Sequence, residues 1–198
     1  MALSSLTVDK CNRVAGGIKR LLVCDLSLIS TIEFDVAASN HAIDNFEFTG
    51  SGAGAGFVEF TFKKGEARYE SNTERQDNGV DVTTVNIFMN VPAPTSAQLY
   101  ALEQLRDTCE LVAVVQEFGS TTLLRVLGAD QAEFGTLEFN SLNGGSGSVR
   151  TDANTFELNL MGMQEQPPFV LTETQGNNTS PITDQDLIIA ELLSPAAS

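Results

Sequence analysis

The stretch from Phe57 to Gly128 constrains the fold most, because its hydrophobic spacing changes period twice. Residues 57–70 and 80–90 alternate with a period of two, residues 95–107 follow helical spacing, and residues 111–128 return to strand-like runs. A sheet with one packed helix produces this order of periods. The sequence therefore predicts a mainly β fold, an antiparallel β-sandwich or barrel with one flanking α-helix and extended terminal arms.

The first two strand-like runs surround Lys64 and Gly65, which predicts a hairpin between them. In the first run, Val58, Phe60 and Phe62 share one face. The link over residues 71–77 is polar and longer than the two to five residues usual for a hairpin turn. Such an extension is typical of a segment that reaches a partner subunit.

The helix is expected to begin after Pro94, with Thr95 or Ser96 as its N-cap. Leucines at helical spacing then place one face on the sheet. Residues 111–115 are continuously apolar, which predicts a strand covered on both sides. A second hairpin is predicted between residues 134–139 and 155–160, and the glycine-rich residues 50–56 are interpreted as a flexible connection.

The alternating residue pattern ends at Gln164. This change divides the chain into a β domain with an N-terminal arm at 1–163 and an acidic C-terminal arm at 164–198. Pro167 and Pro168 argue against a place in a sheet interior. Thr183 is a candidate cap for a short terminal helix. Its apolar residues need a covering surface, on this chain or a neighbour, and are candidate arm-docking residues: Ile188, Ile189, Leu192 and Leu193.

The net charge of −15 is unevenly distributed. Residues 1–75 hold 8 Lys and Arg against 10 Asp and Glu, whereas residues 76–198 hold 3 against 16. Nucleic-acid binding by counterion release needs clustered cations, so this balance argues against it. The sequence shows neither a signal peptide nor a run of roughly 20 apolar residues, so a soluble protein made in a cytoplasm is expected.

No residue pattern indicates catalysis. His41 is the only histidine and lies in a polar loop without a nucleophile motif, and three scattered cysteines make a poor zinc set. The carboxylate pairs Glu33 with Asp35 and Asp184 with Asp186 fit solvated positions better than a sugar-cleaving cleft. The sequence therefore predicts no enzyme, no cofactor, and no catalytic, cofactor-binding or metal-binding residues.

Four segments together resemble virion structural proteins of tailed phages of Bacteroidetes-type hosts, and more broadly the tail tube (major tail) protein family. These segments are CNRVAGGIKRLLVCD, FVEFTFKKGEARYE, AQLYALEQLRD and LVAVVQEFGSTTLLRVLG. The likeness covers residues 11–162 and rests on the order of strands, long hairpin, single helix and further strands.

The resemblance implies a tail tube subunit that self-assembles into stacked hexameric rings around a channel for DNA, in a virion assembled in the host cytoplasm. Its partners would be other copies, the tape measure, sheath or terminator proteins, and passing DNA without specific binding. No membrane is involved. Hairpin strands would line the lumen, and residues 71–79 would contact the next ring. The candidate lumen or inter-ring residues are Glu66, Arg68, Glu70, Glu74, Asp77 and Asp81.

Two alternatives remain open. A head-decoration, connector or tail-terminator protein would use the same sandwich in rings that do not stack. A monomeric carbohydrate-binding module belongs to a different class, and the absence of Trp with only 2 Tyr argues against it.

Overall fold

The computed structural model describes residues 16–35, 41–52, 54–77, 79–118, 124–129, 135–145, 155–171 and 184–195. Within them lie eleven strands, a 3-10 turn at Leu26–Leu28 and two helices. The elements are β1 Ile18–Asp25, β2 Ile29–Phe34, β3 Ala42–Phe48, β4 Val58–Thr61, β5 Ala67–Arg75, β6 Asp81–Pro92, α1 Ser96–Asp107, β7 Leu111–Glu117, β8 Leu124–Leu127, β9 Leu137–Gly145, β10 Thr155–Gln164, β11 Phe169–Leu171 and α2 Gln185–Leu193.

The strand pairing divides into two parts. One part, called the larger sheet, runs β4-β1-β7-β8-β11-β3-β2, and the other, called the smaller sheet, runs β9-β10-β6-β5. They meet where Leu111 of β7 pairs with Leu137 of β9. Every pair is antiparallel except β11 with β3. The predicted mainly β class with a flanking helix is confirmed, with this parallel pair as a departure.

Strand β7 is buried on both faces, as its continuous apolar sequence predicts. Val112 and Val114 contact one core, which is formed by β1, β2, β3, β8 and β11 together with α2. Ala113 and Val115 contact a second core, shared with the β9-β10-β6-β5 sheet and α1. Side chains of a strand alternate between faces, so a strand between two cores must be apolar throughout.

Helix α1 begins as predicted, with Thr95 as its N-cap. The Thr95 hydroxyl accepts from the backbone N–H of Gln98, and the Gln98 side chain in turn accepts from the backbone N–H of Thr95. This reciprocal pair satisfies two N–H groups that the first turn leaves without helical partners. Leu102 and Leu105 are buried against the second core, which fixes α1 at one end of the smaller sheet.

The hairpin predicted around Lys64 and Gly65 is wrong. β4 pairs with β1 and β5 pairs with β6, so the two strands belong to different sheets. The turn between them carries Gly65 at φ +90, and the Glu66 carboxylate accepts from the backbone N–H of Lys63 at 2.8 Å. Alternation identified both strands correctly, but it holds no information about which strand each one pairs with.

The polar stretch 71–77 is mostly strand, not an open link. β5 continues to Arg75, and a short turn containing Gly79 at φ +84 returns the chain into β6. The hydroxyls of Thr73 and Thr83 lie 2.8 Å apart across this pair. Cross-strand polar contacts thus hold a long β5–β6 hairpin, in which the outer residues of β5 are exposed and Thr83 of β6 is buried.

The segment after Gln164 does enter the sheet, which corrects the expectation drawn from its prolines. Phe169–Leu171 forms β11 between β8 and β3. Pro167 and Pro168 lie just before this strand, where a missing N–H removes no ladder hydrogen bond. The 163/164 division itself stays a prediction.

Candidate assembly surface

The smaller sheet has one face against the second core and one face that is polar and largely exposed. Val85, Ile87 and Met89 of β6 point into the core. By alternation, the other face includes the following side chains: Arg68, Glu70, Asn72 and Glu74 of β5, Val82, Thr84, Asn86 and Phe88 of β6, Glu157, the buried Asn159, Met161 and Met163 of β10, and Glu138 of β9. This set is called the open face.

The open face is acidic. Among its described residues only Arg68 is cationic, against the four carboxylates of Glu70, Glu74, Glu138 and Glu157. The Arg68 guanidinium lies 4.2 Å from the centre of the Phe88 ring, and its Nε lies 3.0 Å from Glu70 Oε1. Arg68 is therefore held flat on the sheet and partly neutralised, which leaves a surplus of negative charge.

The six candidate lumen or inter-ring residues do not share one surface. Arg68, Glu70 and Glu74 lie together on the open face. Glu66 lies in the turn before β5, and Asp77 lies at the tip of the β5–β6 hairpin. Asp81 pairs with Arg75 across that hairpin, and by alternation its side chain lies on the face away from the open face.

Arg75 and Asp81 form a two-point ion pair, with Nε to Oδ1 at 2.8 Å and Nη2 to Oδ2 at 3.1 Å. The hydrogen bond and the positive charge of Arg75 lower the pKa of Asp81 below 3.8. The same hydrogen bond and the negative charge of Asp81 raise the pKa of Arg75. Both side chains are exposed, so the pair orders the hairpin end more than it stabilises the whole fold.

We expect the Asp81 carboxylate to titrate below its ordinary range, and Arg75→Gln to return its pKa toward that range. Because the folded pKa is depressed, the pair's contribution to stability is present above the unfolded pKa of about 3.9 and is lost as the pH falls through the folded pKa. Carbon-detected NMR titration of the side-chain carboxyl measures both values. An identical Asp81 pKa in the two proteins would contradict the pairing.

Both borders of the smaller sheet lack a strand partner in the described part of the chain. β5 pairs only with β6, and β9 beyond Leu137 pairs only with β10. The bond from Asn90 N to Glu66 O and that from Gln76 N to Val80 O place the backbone groups of even-numbered β5 residues toward β6. The N–H and C=O groups of Ser71 and Thr73 therefore point outward.

The free border of β2 is different, because β2 contains two register irregularities within six residues, at Ile29/Thr31 and at Glu33/Phe34. Bulges of this kind twist an edge and prevent pairing. β5 has no register shift over its nine residues. β9 contains one bulge, at Asn140, and β4 is regular but only four residues long. β5 is therefore the longest regular free border among the described strands.

The arm-docking residues pack against this same chain. Ile188, Ile189 and Leu192 are buried in the first core, and Leu193 packs beside them. Asp184 is the N-cap of α2, and Thr183 lies outside the described residues. Of the two possibilities left open by the sequence, the structure has the helix on its own subunit.

Sequence reasoning missed the role of Gly56 in holding α2. The N–H of Phe57 donates to Leu192 O at 2.7 Å, and the N–H of Gly52 donates to Pro195 O at 2.8 Å. A Cβ on Gly56 would lie 2.1 Å from Leu192 O. The glycine-rich stretch thus forms the docking surface for the C-terminal end of α2. The sequence alone does not indicate this contact, because α2 is distant along the chain.

A cleft of about 610 Å³ opens between β4, the end of β6 and α1. Phe60, Phe62 and Leu102 supply apolar lining, and Lys63 and Glu66 supply charge. The cleft lies at the end of the β5–β6 hairpin opposite its tip. Its described lining contains neither histidine nor cysteine.

Groups that could carry chemistry are dispersed. No three described His, Cys, Asp or Glu residues are close enough to hold a metal ion. The His41 ring stacks on the Phe169 ring with 4.1 Å between their centroids, and His41 Nε2 lies 2.6 Å from Pro167 O. His41 therefore packs beside β11. Burial, together with Asp35 and Glu33, raises the pKa of Asp44.

The two described cysteines should differ in reactivity. Burial, with a smaller effect of Asp25, raises the pKa of Cys24 to about 12, whereas Cys109 is exposed. In a Cys11→Ser protein at pH 8, we expect Ellman's reagent to modify one thiol in the native state and two after unfolding, since the thiolate is the reactive form. Rapid modification of two thiols in the native protein would contradict the buried position of Cys24.

A scan against protein-family models, a search of curated proteins and a search of solved structures each gave no match to this chain. Among the described residues, neither helix has the length and apolar character needed to cross a bilayer.

Proposed function

We propose that this protein is a self-assembling structural subunit of a phage tail tube, in which copies join side by side into rings and the acidic open face lines the channel. The observation that carries the proposal is the pair of unpartnered borders on the sheet that bears this face, of which β5 is regular over nine residues and β9 contains one bulge. Sheet edges left open invite pairing with another chain.

The two borders are similar in length and compatible in direction, although Leu137 of β9 is already paired with Leu111 and a bulge interrupts β9 at Asn140. β5 and β9 each contain nine residues. Directions alternate across β9-β10-β6-β5, so β9 of a second copy beside β5 continues the antiparallel order. Joining two different borders is a head-to-tail contact, which closes into a ring when the rotation between copies permits it.

The charge of the open face supports a channel for nucleic acid rather than a binding site. Duplex DNA carries one negative charge per about 1.7 Å of its axis, so it is attracted to clustered Lys and Arg. A lining with one partly neutralised guanidinium and four carboxylates repels the phosphates and permits sliding.

Ser71→Pro is the variant that tests ring formation. The Ser71 N–H points outward, so proline removes no hydrogen bond within the subunit but blocks pairing with a second copy. We expect the folded monomer to lose less than about 1.5 kcal/mol of stability while rings and tubes disappear from negative-stain electron micrographs. Ser71→Ala is the matched control and should assemble normally.

Size exclusion and microscopy of the unmodified protein separate the alternatives. Closed rings that never stack would favour a connector, terminator or decoration protein. A species that stays monomeric at high concentration, or tubes formed equally well by Ser71→Pro, would contradict the proposal.

A further inference from the structure

The tip of the β5–β6 hairpin and the cleft under α1 lie at opposite ends of the same pair of strands. β5 begins beside the cleft, at Ala67, and ends at Arg75 next to the tip. Nine residues at roughly 3.3 Å each separate the two features by about 30 Å. A tip therefore cannot reach the cleft of its own subunit, but it can reach that of a copy displaced along the strands.

The tip and the cleft also complement each other chemically. Val80 at the tip is an apolar side chain that is 45% exposed, and the cleft has an apolar lining that includes Phe60 and Phe62. The Arg75–Asp81 pair is internally neutral, which leaves Asp77 as the charge of the tip. Lys63 supplies an exposed cation at the cleft, beside the Glu66 carboxylate and near Glu59, whose carboxylate pairs with Arg20 at 2.8 Å.

We propose that the hairpin tip of one copy inserts into the cleft of a second copy, with Val80 against Phe60 and Phe62 and with the Asp77 carboxylate beside the Lys63 ammonium. The inference rests on the proposed function and deepens it, because it names the contact by which successive rings stack. A cleft of about 610 Å³ is within the usual range of sites that enclose a small ligand, so it can accept the end of a turn.

The contact joins two different surfaces, and it therefore propagates from copy to copy. Side-by-side pairing through β5 and β9 acts across the strands, whereas the tip-to-cleft contact acts along them. The two contacts together extend an assembly in two directions, as a tube of stacked rings requires.

Covalent capture in the full-length protein tests the contact. Gln76→Cys at the tip and Thr61→Cys in the cleft are introduced together with Cys11→Ser and Cys109→Ser, which leave the buried Cys24 as the one native thiol, and a short bis-maleimide is added. We expect a ladder of trimers and longer species on a denaturing gel. Each single-cysteine control should give dimers at most, because it carries one reactive end.

A charge exchange tests the pairing without relying on cross-linking. Asp77→Lys and Lys63→Asp should each shorten tubes at least about tenfold, because each sets like charges against each other, and the double variant should restore their length. Val80→Asp should shorten tubes as well, whereas Leu187→Asp, which changes a still more exposed apolar residue on α2, should not.

Two results separate this inference from the proposed function. Tubes or rings without the cross-linked ladder overturn the tip-to-cleft contact and leave ring formation in place. Absence of both ladder and rings overturns both. A double charge variant no better than either single variant also overturns the contact.

Discussion

Replacing Gly128 with alanine should lower the free energy of unfolding by about 2–5 kcal/mol. Gly128 has φ +75, and a Cβ there would lie 2.8 Å from both Leu111 O and Leu137 Cγ. The left-handed backbone costs an alanine about 1–2 kcal/mol, and overpacking a closed site costs about 1–3 kcal/mol more. The clash falls at the Leu111–Leu137 pair, where the two sheets join.

Gly65→Ala separates the two contributions to this loss. Gly65 has φ +90, but a Cβ there meets nothing within 4 Å, so only the backbone cost of about 1–2 kcal/mol applies. Chemical denaturation of both variants, under conditions where the chain is monomeric, gives the comparison. Equal losses at Gly128 and Gly65 would contradict close packing at the junction.

Gly56→Ala should cost about 2–4 kcal/mol and should release α2 selectively. Gly56 has no positive φ, so the whole effect comes from contact with Leu192 O, which must move and break its hydrogen bond to Phe57 N. A helix of nine residues does not persist alone in water, so an undocked α2 unfolds.

Amide hydrogen exchange reports the release of α2 directly. In Gly56→Ala, protection should fall at Ile188, Ile189 and Leu192 while β7 stays protected. Gly145→Ala is the control, because a Cβ at Gly145 meets nothing within 4 Å. Full protection of α2 in Gly56→Ala would show that the docking surface accommodates a methyl group at position 56 and would contradict the expected release of α2.

Local features of the fold could be predicted from the sequence because their causes are local. Thr95 followed by Gln98 predicts a helix start, and the apolar run at residues 111–115 predicts a strand between two layers. Alternation located β4, β5 and β10, but it placed β9 at 134–139, whereas the strand runs Leu137–Gly145. It could not show that β4 pairs with β1, since pairing depends on residues distant along the chain.

The candidate site shows the same limit. The charge of Arg68, Glu70 and Glu74 is visible in the sequence, and so is their shared face on an alternating strand. That β5 and β9 are the two free borders of one sheet depends on pairings across some 70 residues of chain. The docking surface for α2 at Gly56 and the cleft beside Phe60 likewise form only when segments distant along the chain come into contact.

The most direct test of the central claim is amide hydrogen exchange at the outward N–H groups of Ser71 and Thr73, measured in the monomer and in assembled particles. Pairing of β5 with β9 of a neighbouring copy predicts rapid exchange at both amides in the monomer and protection by at least about a hundredfold after assembly. Equal, rapid exchange in the two states would show that β5 stays unpaired and would contradict assembly through this border.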